Sequence, residues 1–251
     1  MSGARVAVFR PADERIEAAA TLLKSLGADP VTDPMLAVES TGATPRTDGD
    51  YVVFTSKTGV ELVAGERAGG PDDRWEPGDA TVCAIGEATA DALRDQGYPV
   101  DRVPAEFSSS GLVDELGDEV AGARVEIARS DHGSAVLPTG LQGAGAYVHE
   151  TVLYRLTRPE AAGDSAVHAA DGDLDAALFT SSLTVRNFLA AAADRGVREA
   201  TVAGLNDAVV GTIGEPTRET AAGEGIDVDV VPKTADFEAL ARAAVDAVDA
   251  D

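Results

Sequence analysis

The chain carries two copies of one pattern, and that repeat limits the folds open to it. Asp50-Tyr51-Val52-Val53-Phe54-Thr55-Ser56 returns as Asp175-Ala176-Ala177-Leu178-Phe179-Thr180-Ser181, 125 positions later. Ile85-Gly86-Glu87-Ala88-Thr89 returns as Ile213-Gly214-Glu215-Pro216-Thr217 at an offset of 128. The same offset carries Gly97 to Gly225, Val103-Pro104 to Val231-Pro232, and Leu112 to Leu240. Ala4-Arg5-Val6 matches Ala123-Arg124-Val125, and Gly27-Ala28 matches Gly145-Ala146. Chance similarity between two α/β halves accounts for one such block, not for three.

Each block reads as strand, turn and helix. Arg5 to Phe9 is a short apolar strand, and Ile16 to Leu26 has helical spacing that stops at Gly27. Tyr51 to Phe54 is a second strand, with Thr55-Ser56 at a helix N-cap. Val82 to Ile85 and Val100 to Val103 read as further strands. Helices follow at Ala88 to Gln96 and near Ser109 to Leu116. Strands alternating with helices imply parallel sheets covered on both faces, and the repeat implies two small doubly wound domains with a ligand cleft between them. Val31 to Ser40 and Val148 to Thr157 are long, extended and rich in β-branched residues, as bridging strands would be. Gly42 to Asp50, Gly65 to Gly78 and Arg158 to Gly172 read as loops, the last as the most flexible segment.

Several chemistries are excluded by what is missing. His132, His149 and His168 share no metal-ligand spacing, and Cys83 is the sole cysteine. Neither a GxGxxG nor a GxxxxGK[ST] string follows a strand, and no GxSxG surrounds Ser181 or Ser182. No apolar run has the length of a membrane span, and the N-terminus lacks a signal peptide's apolar stretch, so a cytoplasmic protein is expected. A net charge of −24 argues against nucleic-acid binding. Acidic residues are spread along the chain rather than clustered, which reads as adaptation to concentrated salt.

What recurs is a set of turns able to hold anions: Thr55-Ser56-Lys57 with Thr180-Ser181-Ser182, and the Gly86 turn with the Gly214 turn. Each sets backbone N–H groups at a helix N-terminus. Singly, Ser56 and Ser181 serve as ordinary helix caps; four such turns in two copies point to a ligand with several carboxylates.

The strings DYVVFTSKTGV, VCAIGEATADALRDQGYPVDRVPAEFSSSGLVDEL, VLYRLTRP, LDAALFTSSLTVRNFL and VVGTIGEPTRETAAGEGIDVDVVPKTADFEALARA resemble the uroporphyrinogen-III synthase family. With the opening RVAVFRP, the resemblance covers nearly the whole chain, and it rests on the order of the strings rather than on any one. Pro138, Gly140, Gly143 and Gly145 depart from it by weakening a segment that is helical in the family. The resemblance implies two domains joined by a two-stranded β-ladder, one built from about 1–36 plus 158–251 and the other from 41–150. The repeat by itself fits two sequential halves equally well.

The resemblance further implies a cofactor-free, monomeric lyase of tetrapyrrole biosynthesis. Its substrate would be hydroxymethylbilane, an octacarboxylate handed over by hydroxymethylbilane synthase. Tyr154 matches the family's linker-strand tyrosine and is the candidate catalytic donor; Thr89 and Thr217 match its paired threonines, as donors to carboxylates. The remaining candidates for substrate binding are Ser56, Gly86, Ser181, Ser182 and Gly214 at the turns, with Arg10, Lys57, Arg129 and Arg155 for charge. The competing readings are a two-domain ligand receptor, against which the missing signal peptide weighs, and an inactive regulatory relative.

The charge has a direct consequence for stability. Lowering salt from about 1 M lengthens the Debye length from about 3 Å and restores repulsion among the carboxylates. The melting temperature should fall steadily as salt is withdrawn, and a melting temperature independent of salt would contradict salt adaptation.

Overall fold

The computed structural model describes residues 3–67, 69–70 and 73–250. Contacts divide the chain into two compact units. Unit 1 takes the residues up to Ala37 and those from Thr157 onward, and unit 2 is Val38–Leu156.

Unit 1 begins with β1 (Arg5–Phe9), α1 (Glu14–Ser25) and β2 (Asp29–Thr32). After the chain returns it adds α6 (Asp164–Ala170), β8 (Ala176–Phe179), α7 (Ser182–Asp194), α8 (Arg198–Asn206), β9 (Val209–Thr212), α9 (Glu215–Gly223) and α10 (Phe237–Val248). Its sheet runs β2-β1-β8-β9, with every pair parallel. Unit 2 contains β3 (Ala37–Ser40), β4 (Tyr51–Phe54), α2 (Lys57–Val63), β5 (Thr81–Ala84), α3 (Glu87–Asp95), α4 (Ser109–Leu116), β6 (Arg124–Ser130), α5 (Val136–Gly143) and β7 (Tyr147–Thr157). Its sheet runs β3-β7-β6-β4-β5, and the four strands from β7 to β5 pair in parallel.

Alternation along each strand feeds two cores. Ala7 and Phe9 join Phe179 and Phe188 on one face of the unit 1 sheet, while Val6 and Val8 join Leu178 and Leu240 on the other. Val52 and Phe54 likewise pack opposite to Val53 in unit 2. Burial on both faces explains why these strands are continuously apolar.

The repeat is present in three dimensions. The order β7-β6-β4-β5 reproduces β2-β1-β8-β9, although β6 and β7 close unit 2 whereas β1 and β2 open unit 1. One copy is thus a circular permutation of the other. Even the polar contacts recur. Asp101 accepts the Val82 N–H at 2.8 Å, and Asp229 accepts the Val210 N–H at 2.8 Å. Asp50 and Asp175 accept the N–H groups of Arg124 and Arg5, the first residues of the neighbouring strands, at 2.8 and 2.6 Å.

Four expectations need correction. Val31 to Ser40 is not one strand: Asp29–Thr32 pairs with β1, and a separate β3 lies beside β7. Val100 to Val103 forms only an isolated bridge, Cys83 to Arg102, because Pro104 and the polar neighbours leave too few paired residues for a strand. The helix after Arg129 forms as α5, in spite of its glycines and proline. Pro138 lies in its first turn, where a missing N–H costs nothing. Gly140 faces α4, and a Cβ there would lie 2.6 Å from a methyl of Val113. Part of the Gly65 to Gly78 loop, at Ala68, Pro71 and Asp72, lies outside the described residues.

The fourth correction is Arg158 to Gly172, which contains α6 rather than a flexible loop. Asp33, only 5% exposed, accepts hydrogen bonds from the Gly163 N–H at 2.9 Å and the Ser165 N–H at 3.0 Å. It also accepts from the Ser165 hydroxyl. These are the orphan donors at the start of α6, satisfied by a carboxylate about 130 residues away in sequence. Gly204 then lets α8 approach, since a Cβ there would overlap the Ala169 carbonyl. Replacing Asp33 by Ala would leave buried donors unpaired. It should lower unfolding free energy by about 2–4 kcal/mol in denaturant titration, with Asp33→Asn losing less. A loss below about 0.5 kcal/mol for Asp33→Ala would contradict this anchoring.

Candidate active site

In a parallel sheet all helices that follow strands begin at the same edge, and each leaves its first N–H groups without intrahelical partners. This chain treats those donors in several ways. Ser56 accepts from Gly59 N–H at 3.1 Å, Ser108 from Gly111 N–H at 2.9 Å, and Ser181 from Thr184 N–H at 3.2 Å. The helices α3 and α9 start instead on Gly86 and Gly214, which supply no side-chain cap. Their first turns therefore present uncapped amides. Glu87 and Glu215 lie in those turns, and each is paired with an arginine farther along its helix, Arg94 and Arg218.

Ligands of such sheets sit beyond the carboxyl ends of the strands, where successive connections leave in opposite directions. In unit 1 that point lies between β1 and β8. A cavity of about 420 Å³ is found there, lined among others by Arg10, Leu36, Thr180, Ser181, Ile213 and Phe237. In unit 2 it lies between β6 and β4, where a cavity of about 190 Å³ is lined by Thr55, Ser56, Ile85, Ser109, Arg129 and Tyr154 among others. The two are copies of one site. Thr55 and Ser56 map on Thr180 and Ser181 at the offset of 125, and Ile85 and Ser109 map on Ile213 and Phe237 at 128. Arg129 stands in the place of Arg10 at 119, the spacing that relates Arg5 to Arg124. Leu36 pairs with Pro11 as Tyr154 pairs with Ser130, so Tyr154 occupies the position of Leu36.

The copies have diverged in their side chains. Tyr154 is buried, and its hydroxyl donates to Ser56 Oγ at 2.9 Å. A register irregularity after Arg129 places Leu153 and Tyr154 in the same core cluster, against simple alternation. Arg129 is also buried and is held by Glu150 at 2.6 Å and by the Ser134 carbonyl at 3.0 Å. Arg10 differs: its guanidinium lies over the Phe237 ring, 4.7 Å from the centroid, and its Nε is buried without a hydrogen-bond partner. Burial, reinforced by Arg15, holds the Arg10 guanidinium below the ordinary arginine value, while Asp13 and Asp236 oppose that shift. Arginine nevertheless remains charged.

Other candidates are placed less centrally. Thr89 and Thr217 are buried in the first turns of α3 and α9 and line neither cavity. Ser182 donates to the Pro216 carbonyl at 3.0 Å and accepts from Thr220 at 2.8 Å, which ties α7 to α9. Lys57 pairs with Glu61 at 3.5 Å, and Arg155 is exposed. Sequence reasoning missed Leu36, Ser109, Ser130 and Phe237. The repeat offsets, applied residue by residue around Arg10 and Ser56, carry the signal that finds them.

A cavity of about 680 Å³ lies at the opposite ends of β4, β6 and β7, away from the helix starts. Arg124 spans it with ion pairs to Asp48 and Asp50. Buried Glu126 accepts there from Thr151 and His149. Among the described residues no group of three or more His, Cys, Asp or Glu could hold a metal ion. Cys83 is buried, and desolvation pushes its thiol up to about 12, so it is no nucleophile at neutral pH. No helix among the described residues is long and apolar enough to cross a membrane.

Comparison with known proteins gives a consistent result. A family model described as Uroporphyrinogen-III synthase HemD matches residues 17–242. A putative uroporphyrinogen-III synthase from Methanothermobacter thermautotrophicus is 33% identical over 204 residues, covering 76% of this chain and 78% of that protein. Among solved structures, a mutant uroporphyrinogen III synthase from the extremely thermophilic bacterium Thermus thermophilus aligns with a TM-score of 0.66 at 21% identity, covering 99% of this chain and 100% of that one. The Helicobacter pylori uroporphyrinogen-III synthetase aligns with a TM-score of 0.61 at 15% identity, covering 97% and 99%. At those identities the structural likeness concerns the fold.

Proposed function

The chain belongs to the uroporphyrinogen-III synthase family, and from that premise we propose that it converts hydroxymethylbilane to uroporphyrinogen III as a hydro-lyase. The terminal hydroxyl of the linear tetrapyrrole leaves as water, and an azafulvene cation forms. The last pyrrole attacks through its substituted carbon to give a spiro intermediate. Fragmentation and reclosure then invert that ring. The pyrroles supply the electron push, so the protein's task is to bind carboxylates, fold the chain of pyrroles and exclude the direct closure.

The observation that carries this reading is the duplicated site, in which uncapped amides stand beside hydroxyls at both strand ends. The amides after Gly86 and Gly214, with Ser56, Ser181 and Arg10, suit substrate carboxylates. Tyr154 suits the leaving hydroxyl. Its proton rests on Ser56 Oγ, and Ser56 keeps the Gly59 N–H when the phenol turns to a ligand. A donor to the departing oxygen lowers the barrier; the proton that completes the water is balanced by the one the last pyrrole loses as it rearomatises, so the protein ends unchanged.

The test starts from porphobilinogen and a deaminase, with and without this protein. The type III isomer should appear only with it, and type I without it. Tyr154→Phe should lower kcat by about 10–100-fold with little change in KM, since it deletes one donor acting in the transition state. An unchanged isomer ratio with folded protein would contradict the enzymatic reading and favour a non-catalytic binding or regulatory protein of this fold.

A further inference from the structure

The two copies of the site treat one arginine in opposite ways. Arg129 is neutralised by Glu150, and Gly133 packs so close that a Cβ there would lie 2.3 Å from the guanidinium. That arginine is enclosed and paired. Arg10, at the same place in unit 1, makes no ion pair among the described residues and stands over an aromatic face where unit 2 has Ser109.

A buried donor without an acceptor costs about 1–3 kcal/mol, so its retention calls for a reason. Arg10 Nε is such a donor, and the arginine that carries it lines a 420 Å³ cavity. The cavity is also lined by Thr180 and Ser181, the latter capping α7, and by Arg15. Asp236 lines it too, but its carboxylate accepts the Ala239 N–H at 3.0 Å as the cap of α10. A carboxylate entering there would pair with the Arg10 guanidinium. Phe237 would give the guanidinium a fixed plane, since the ring face attracts the cation and forbids it to swing aside.

We propose that Arg10 is the receptor for one carboxylate of the tetrapyrrole and that Phe237 is the positioning residue that presents it. Arg129, its duplicate, is structural. The proposal rests on the functional reading above, and it gives the two copies different work: unit 1 supplies the charged receptor, unit 2 the Tyr154 donor.

Steady-state kinetics with freshly made hydroxymethylbilane and equilibrium binding of uroporphyrin III, a stable octacarboxylate, test it together. Phe237→Leu keeps apolar volume and removes the π face. It should raise KM and the uroporphyrin III Kd about five- to tenfold, with kcat and melting temperature close to wild type. Phe237→Tyr should restore both constants. In an Arg10→Gln background, Phe237→Leu should have no further effect, because the ring acts only through that arginine. Unchanged constants in Phe237→Leu, failure of Tyr to rescue, or effects that add in the double variant would each overturn the proposal. If the wild-type protein forms no type III isomer, the functional reading falls, and the uroporphyrin III arm alone decides the role of Phe237.

Discussion

Everything at the candidate site follows from peptide N–H groups that a parallel sheet cannot satisfy. Helices that follow parallel strands all start at one edge, and their first turns point unpaired donors outward. A protein can close such a turn with its own hydroxyl, as Ser56, Ser108 and Ser181 do. It can also leave the turn open, as Gly86 and Gly214 do. Both solutions appear in both units, side by side at the strand ends. The edge therefore offers firm scaffolding and free donors within one short stretch of backbone, without any metal-ligand cluster or nucleotide fingerprint among the described residues.

Duplication explains why the edge looks alike twice, and permutation explains why that is hard to see in chain order. Asp101 with Asp229 and Asp50 with Asp175 repeat the same backbone contacts in the two units. Divergence is concentrated at three places of the site: Arg10 and Arg129, Leu36 and Tyr154, Phe237 and Ser109. Backbone geometry was kept while side-chain chemistry was redistributed. A family whose substrate carries its own reactivity can work with a site of this kind, in which position matters more than acid strength.

Much of this was legible in the sequence. Short apolar runs marked β1 and β4, the repeat carried β4 to β8, and Ser109 to Leu116 reads as the helix it forms. The resemblance to the family likewise agrees with the matched family model. What escaped was decided by partners far away in the chain. Arg158 to Gly172 has the composition of a loop, and only Asp33 turns part of it into a capped helix. The glycines of α5 weaken a helix in isolation, yet Gly140 is what lets α4 approach. Arg10 and Arg129 look equivalent as letters. Their difference lies in Glu150, on the adjacent strand, and in Phe237, on α10. Val100 to Val103 failed for the opposite reason: its two valines suggest a strand, but only one bridge supports it.

The central claim is that the open amides after Gly86 and Gly214 hold the ligand's carboxylates. Backbone amide chemical shifts followed during titration with uroporphyrin III test it most directly. The account predicts that Glu87, Ala88 and Glu215 N–H shift strongly and saturably, while the hydroxyl-capped amides of Gly59 and Gly111 move little. Saturable binding that leaves Glu87, Ala88 and Glu215 unmoved would contradict it.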